Sequence, residues 1–575
     1  MDIKPRGADE PVHDEEAYVE PPGWPQWLLD RHGATVLRQA DTLRDGDLGG
    51  VRTTVYRTAA LLVPNDFIAD LLDPINVVLQ EVGMMLVPPE VSLEDAVAPL
   101  TAWLPGDGYE AGPVEREIVS GAALCEHIRS VPRAVGVQRA DDDERLRRDT
   151  ATPVDAWRAL RHIRAALRKG KFEKLPHEQR EAVERISLDH LVQGAQFGGV
   201  PMYDPATKGN ALLGGFPGGG YFPEGRHPVA QVPWQPVRDA KWAGRRPVVA
   251  VLDTGVCAHP WFTTSPAFTA TPPGDGFLNV YVPTVQDINK HIAKVQGFPL
   301  TNVLLSGEDG PCYTDPIGSL VNAAWGHGTF IAGLIHQAAP DVDVLSVRVL
   351  RADNVGYESD VLLALNLLHA RNVEARKEDG SAEEIAARRK FLVDVVSLSL
   401  GYYDETWLTT RRALFLDAVK QLVESGVIVL AAAGNDATTR PFLPAALRVP
   451  STQWAGPDVV GVGALNPNGT VSWYGNGGDS VSVRAPGTCL VSTFPPTDKG
   501  AVAPTMITHG RQSVDYDDFG SGFAVWSGTS FATPVVAAKL VKDLLAEKDG
   551  AVNSIDAGLT RDLAERVVAK LVAEP

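Results

Sequence analysis

Two textures of hydrophobic and polar positions divide the chain. From residue 51, Val51-Arg52-Thr53-Thr54-Val55-Tyr56 runs on through Val63-Pro64 as a β-branched, partly alternating stretch that predicts a strand. Ile68 to Val82 carries helical apolar spacing around an interrupting Pro74, and Gly83-Met84-Met85-Leu86-Val87 predicts a second strand. A small α/β unit ending near residue 145 follows from these. Residues 154–172 form an amphipathic helix with Arg158, Arg161, Arg164 and Arg168 on its polar positions, which read as a solvated face rather than a docking surface. A second helical pattern covers roughly 175–194.

The second texture starts after Arg245-Arg246. Short, continuous apolar runs alternate with helical segments: strands over 247–252, 343–350, 391–398 and 427–432, with helices over about 359–370 and 409–425. Runs without polar alternation belong to strands covered on both faces, as in parallel sheets. The fold class is therefore α/β: a mostly parallel sheet flanked by helices, preceded by a smaller α/β region. In such sheets chemistry gathers at the carboxyl ends of the strands. Between the textures lies a Gly/Pro-rich stretch over 198–236 that holds neither helix nor central strand. The organisation expected is a polar, acidic arm of little structure over 1–45, in which Trp24 and Trp27 dock on something larger, then an N-terminal region over 46–197. The linker over 198–236 and the main domain over 237–575 complete it.

Composition narrows the picture. At 575 residues with 44% apolar content the chain exceeds one typical domain, and a formal net charge of −19 argues against a nucleic-acid partner, whose phosphates call for a basic surface. The N-terminus offers no apolar core of a secretory signal, and no apolar run is long enough to span a bilayer, so a cytoplasmic location is expected. Four cysteines (Cys125, Cys257, Cys312, Cys489) are too few for a disulfide framework, although a Cys257 to Cys312 bridge stays open for an exported chain.

Three short motifs carry chemistry. Leu252-Asp253-Thr254-Gly255 places a carboxylate directly after a strand; alone it is an ordinary turn, or half of an aspartic-protease pair that would require a dimer. Trp325-Gly326-His327-Gly328-Thr329 sets an imidazole between glycines at the head of a helical run, accessible as a general base or simply structural. Gly528-Thr529-Ser530-Phe531-Ala532-Thr533-Pro534 places a serine where a glycine turn becomes a helix, as a cap or as a nucleophile in the field of the helix terminus. Aspartate, then histidine, then serine is one of the known chain orders of a serine-protease triad.

Together with Ser346-Val347-Arg348-Val349-Leu350, Asp394-Val395-Val396-Ser397-Leu398-Ser399-Leu400-Gly401, Ala431-Ala432-Ala433-Gly434-Asn435 and Ala485-Pro486-Gly487, these motifs make residues of about 245–550 resemble a subtilisin-like serine protease. The resemblance implies a serine endopeptidase acting through an acyl-enzyme, with Ser530 as nucleophile, His327 as base and Asp253 orienting it. It implies Asn435 as a donor to the oxyanion, Ser399, Leu400 and Gly401 as a peptide-pairing segment, Gly356 and Tyr357 in the opposite wall, and Ala433 and Gly434 in a primary pocket for an uncharged residue. Its partners would be protein or peptide substrates, and the N-terminal region would act as a propeptide or intramolecular inhibitor, cut in 198–236. This chain departs from the family in a large insertion over 263–320 and in Trp261, which stands where many relatives carry an acidic calcium ligand, so no cofactor is expected and calcium is unsupported. The alternative is an inactive or masked protease fold that binds partners through its N-terminal region.

Overall fold

The computed structural model describes residues 4–5, 24–38, 51–88, 131–140, 154–195, 226–229, 233–239, 245–257, 259–262, 278–280, 324–351, 353–389, 392–405, 414–447, 459–496, 504, 506–513, 515, 518–546, 566 and 568–570. Almost all of the insertion over 263–320 and most of the 198–236 linker lie outside the described residues, as does Cys312, so the suggested bridge does too.

The N-terminal unit contains β1 (Ala34–Leu37), β2 (Thr54–Pro64), α1 (Ile68–Leu79), β3 (Met84–Val87), β4 (Pro132–Arg139), α2 (Ala156–Arg168), α3 (His177–Glu184) and β5 (Ser187–Gly194). Two expectations are corrected here. A helix at Gln26–His32 and β1 lie within the stretch read as an arm, and β1 pairs antiparallel with β2. The helical reading of 175–194 holds only to Glu184, because Ser187–Gly194 is paired along both edges and tertiary pairing outweighs local spacing. The unit's core, including Leu61, Val63, Ile75, Leu79, Trp157, Leu160 and Ile163, lies under α1 and α2. Residues of the opposite parity, Ala60, Leu62, Ala134 and Val192, belong instead to a cluster shared with the second unit. The two-sided burial explains why β2 reads as a nearly continuous apolar run.

The second unit is built on β7 (Val248–Asp253), α4 (His327–Ala338), β8 (Asp343–Arg348), β9 (Val355–Tyr357), α5 (Glu358–Ala375), β10 (Val395–Leu398), β11 (Leu400–Gly401), α6 (Leu414–Glu424), β12 (Ile428–Ala432), β13 (Val459–Leu465), β14 (Val483–Pro486), β15 (Leu490–Thr493), β16 (Phe523–Trp526) and α7 (Thr529–Ala546); a short β6 (His227–Pro228) precedes them. Strands β14, β13, β12, β10, β7 and β8 pair in that order, all in parallel, and short pieces at Lys4–Pro5 and Leu278–Val280 complete the two edges. In β7, Val249 and Val251 join the core with α4 and α7, while Val248, Ala250 and Leu252 join the core with α5 and α6. β7 therefore carries apolar residues from Val248 to Leu252, and its first polar residue, Asp253, comes where the strand leaves the sheet. Among the described residues no helix is long and apolar enough to cross a membrane.

Candidate active site

Asp253 is the last residue of β7 and His327 the first of α4, so the sheet's carboxyl edge meets a helix N-terminus. The approach is close: Gly328 N–H donates to Thr254 Oγ1 at 3.0 Å, and a Cβ on Gly328 would overlap the Gly255 carbonyl oxygen. His327 Nδ1 lies 2.7 Å from Asp253 Oδ1, which also accepts from the Thr254 N–H at 2.8 Å. A carboxylate only accepts, so Nδ1 carries the proton and a neutral ring keeps its lone pair on Nε2. Both side chains are at most 1% exposed. Trp526 and Phe531 pack on the imidazole at centroid distances of 5.7 and 5.2 Å.

Ser530 stands in the first turn of α7, one residue before the Phe531 that packs on His327. Its hydroxyl donates to the Ser399 carbonyl at 3.1 Å rather than to His327, and Nε2 has no hydrogen-bond partner among the described residues. The Ser530 N–H, one of the helix-start donors without an intrahelical acceptor, donates to the Ala195 carbonyl at 3.0 Å. Asn435 Nδ2 donates to the same oxygen. The other end of that amide, Oδ1, accepts from Thr529 N–H at 3.0 Å and from Thr529 Oγ1 at 2.9 Å, which fixes its orientation.

Ala195 continues β5, which is paired along both of its edges. It pairs antiparallel with β9 on one side, Gly356 opposite Val192 and Tyr357 opposite Leu191, and with β11 on the other, Leu400 opposite Gly194 and Gly401 opposite Gln193. Ala195 N–H donates to Ser399 O at 2.9 Å, and Asn354 clamps Gly194, accepting from its N–H at 2.9 Å and donating to its carbonyl at 3.3 Å. The structure thus brings Ser530, Asn435, Ser399, Leu400, Gly401, Gly356 and Tyr357 together around one strand, and the Asp253–His327 pair packs against Phe531, the residue after Ser530. Ala433 and Gly434 lie behind it. Gly434, at φ 100°, donates its N–H to Thr529 Oγ1 at 3.2 Å, while Ala432, not Ala433, shares a small apolar cluster with Ala195. Asn354 belongs to the loop Asn354-Val355-Gly356-Tyr357 that the resemblance read as the opposite wall, whereas sequence reading passed over Tyr403, Phe442 and Asn476. Asn354 sits at φ 69°, a conformation that favours asparagine, but no sequence signal marked the other three.

Among the described residues, the stretch around Trp261 offers a hard cation no oxygen cradle. Trp261 is buried against His259 and Phe523, and His259 Nε2 bonds the Gly522 carbonyl at 2.9 Å. These residues do not fit calcium, which needs six or more oxygens. His190, Asp404 and Glu405 are close enough to share an ion, but both imidazole nitrogens of His190 are taken, by Glu358 Oε2 at 2.6 Å and Glu405 Oε2 at 2.9 Å, and Arg164 pairs with Glu405. The cluster is an ion-pair network.

A model described as the subtilase family (peptidase S8) matches residues 244–559, more than half of the chain. The chain belongs to the subtilase family. This subtilase is 27% identical over 253 residues to the minor extracellular protease Epr of Bacillus subtilis (strain 168), covering 42% of the chain and 30% of that protein. It is 27% identical over 220 residues to the subtilisin-like proteinase Mp1 of Magnaporthiopsis poae, covering 37% and 42%. Thermitase of Thermoactinomyces vulgaris is 28% identical over 244 residues, covering 41% and 66%. The subtilase thus spans less than half the length of the curated relatives Epr and Mp1. A crystal structure of a cold adapted subtilisin-like serine proteinase matches 57% of this chain and 86% of its own at 20% identity and a TM-score of 0.31.

Proposed function

We propose that the protein is a serine endopeptidase whose first substrate is its own N-terminal unit. The observation that carries this is the Ala195 carbonyl, held jointly by the Ser530 N–H and the Asn435 side-chain amide at the start of α7. Two donors converging on one peptide carbonyl beside a serine hydroxyl are what stabilises a tetrahedral oxyanion.

The reaction follows from these positions. Ser530 Oγ turns from Ser399 O towards His327 Nε2 and attacks the Ala195 carbonyl carbon, while its proton passes to Nε2. Asp253 stabilises the imidazolium, and the oxyanion is held by the Ser530 N–H and Asn435 Nδ2. The bond from Ala195 to Gln196 breaks as Nε2 returns the proton to the leaving amine, and water releases the acyl group by the same steps in reverse roles. The N-terminal unit, with β5 still paired to β9 and β11, then remains as a non-covalently held inhibitor, having been an intramolecular one before the cut. No cofactor takes part in any step.

Intact-mass analysis and N-terminal sequencing of purified protein test the reading. Wild type should yield a fragment beginning at Gln196, and Ser530→Ala should stay full length. A fluorophosphonate should label Ser530 once the N-terminal unit is displaced. Equal masses in both proteins together with an unlabelled Ser530 would instead support a scaffold with a masked site.

A further inference from the structure

We infer that Phe442 closes the primary pocket and limits the residue on the acyl side of the cleaved bond to alanine, glycine or serine, an inference that rests on the peptidase reading above. The Ala195 methyl lies in a small apolar cluster with Tyr403, Ala432 and Phe442. The Phe442 ring is wedged between the two walls of the cleft. A Cβ on Gly401, in the strand that pairs with the bound segment, would run into its edge, and a Cβ on Gly434, next to Asn435, would lie 3.2 Å from it. Moving the ring either way displaces the backbone that holds the substrate.

Tyr403 backs the ring at a centroid distance of 5.0 Å and is itself fixed. Its hydroxyl donates to Asp436 Oδ2 at 2.6 Å and accepts from Asn476 Nδ2 at 2.8 Å, and the Arg440 guanidinium lies 4.7 Å over its face. Swinging Tyr403 aside would leave buried polar groups unmatched, a cost that keeps the wall in place. What faces the Ala195 methyl is therefore carbon on a rigid frame: too shallow for leucine or phenylalanine and without a charge to receive lysine or glutamate. Three residues upstream, the fully buried Val192 sits opposite Gly356 within the large apolar core. The substrate class is a chain with a small residue at the cleaved bond and an aliphatic residue three positions before it.

Two measurements test this. Fluorogenic peptides Leu-Val-Gln-Gly-X, with X alanine, leucine or phenylalanine, are offered to the processed protein and to Phe442→Ala. Wild type should favour alanine over leucine on the order of 10²-fold in kcat/KM, and Phe442→Ala should raise the leucine value at least about tenfold. Wild-type cleavage of leucine or phenylalanine at rates near that of alanine overturns the proposal. In the full-length Ser530→Ala chain, which needs no activity, Ala195→Leu should lower the melting temperature, and adding Phe442→Ala, or Phe442→Leu where alanine does not fold, should recover part of the loss. An Ala195→Leu chain that melts with its parent overturns the pocket. Uncleaved peptides alongside that coupled stability leave the pocket standing and overturn the peptidase reading.

Discussion

Asn435 is anchored at one end of its amide and free to donate at the other. Thr529 supplies both anchoring bonds from the same helix turn that presents Ser530, so donor and nucleophile move as one body. Asn435→Ala should reduce kcat about 10²–10³-fold with little change in KM, a magnitude measured for the same donor in subtilisin. Asn435→Asp would turn an acceptor on the Ala195 oxygen and should do no better. Steady-state kinetics on a processed protein separate the two parameters. Asp253 is arranged on the same economy: one oxygen takes both the His327 and Thr254 protons, leaving the ring a single tautomer.

Among the elements, the junction of β7 with α4 tolerates nothing larger than glycine at residue 328, where an added methyl meets the Gly255 carbonyl, a backbone atom that cannot rotate away. Gly328→Ala should cost roughly 1–3 kcal/mol by overpacking and lower the melting temperature, and should break the Asp253 to His327 contact. Thermal melting of Ser530→Ala with and without the substitution reads the first effect. This junction was legible in the sequence because its constraints are local: a strand ending in Asp253, and glycines around His327. The parallel sheet was legible for a similar reason, since strands covered on both faces lose their polar alternation. β5 was not. Ser187-Leu188-Asp189-His190-Leu191-Val192-Gln193-Gly194 has no pattern of its own that distinguishes a helix from a strand, and its conformation is set by partners as distant in sequence as Tyr357 and Gly401. Tyr403 and Phe442 stayed hidden likewise, because they reach the Ala195 side chain from two loops that carry no motif.

At the scale of the whole molecule, the two units are joined by buried charge as well as by β5. Asp189, neutralised by the buried Arg57 at 2.8 Å, accepts from the N–H and hydroxyl of Ser359 and so caps α5 from the opposite unit. His190 lies between Glu358 and Glu405. Its burial favours the neutral ring, but the two carboxylates outweigh that and hold its pKa well above the ordinary 6.5. A raised pKa contributes stability that is fully present below about pH 6.5 and is lost as pH rises through the folded value. Glu405 is shifted the other way: burial opposes ionisation, but His190 and Arg164 prevail, so its contribution is present above the ordinary 4.5 and lost as pH falls. The full-length Ser530→Ala protein should therefore melt at lower temperature as pH is raised from 6 to 9, and His190→Gln should flatten that dependence. A flat profile in the parent chain would remove His190 from the account. The placement of β5 has one more consequence. While the chain is whole, the cleft is filled by a tethered segment whose effective concentration does not depend on how much protein is present. Cutting after Ala195 turns the same contacts into a bimolecular equilibrium, so occupancy of the cleft then follows mass action and can be relieved by dilution, by competing peptides or by removal of the released unit. The proposed cut would thereby convert a fixed plug into an exchangeable one while leaving the pairing of β5 with β9 and β11 in place.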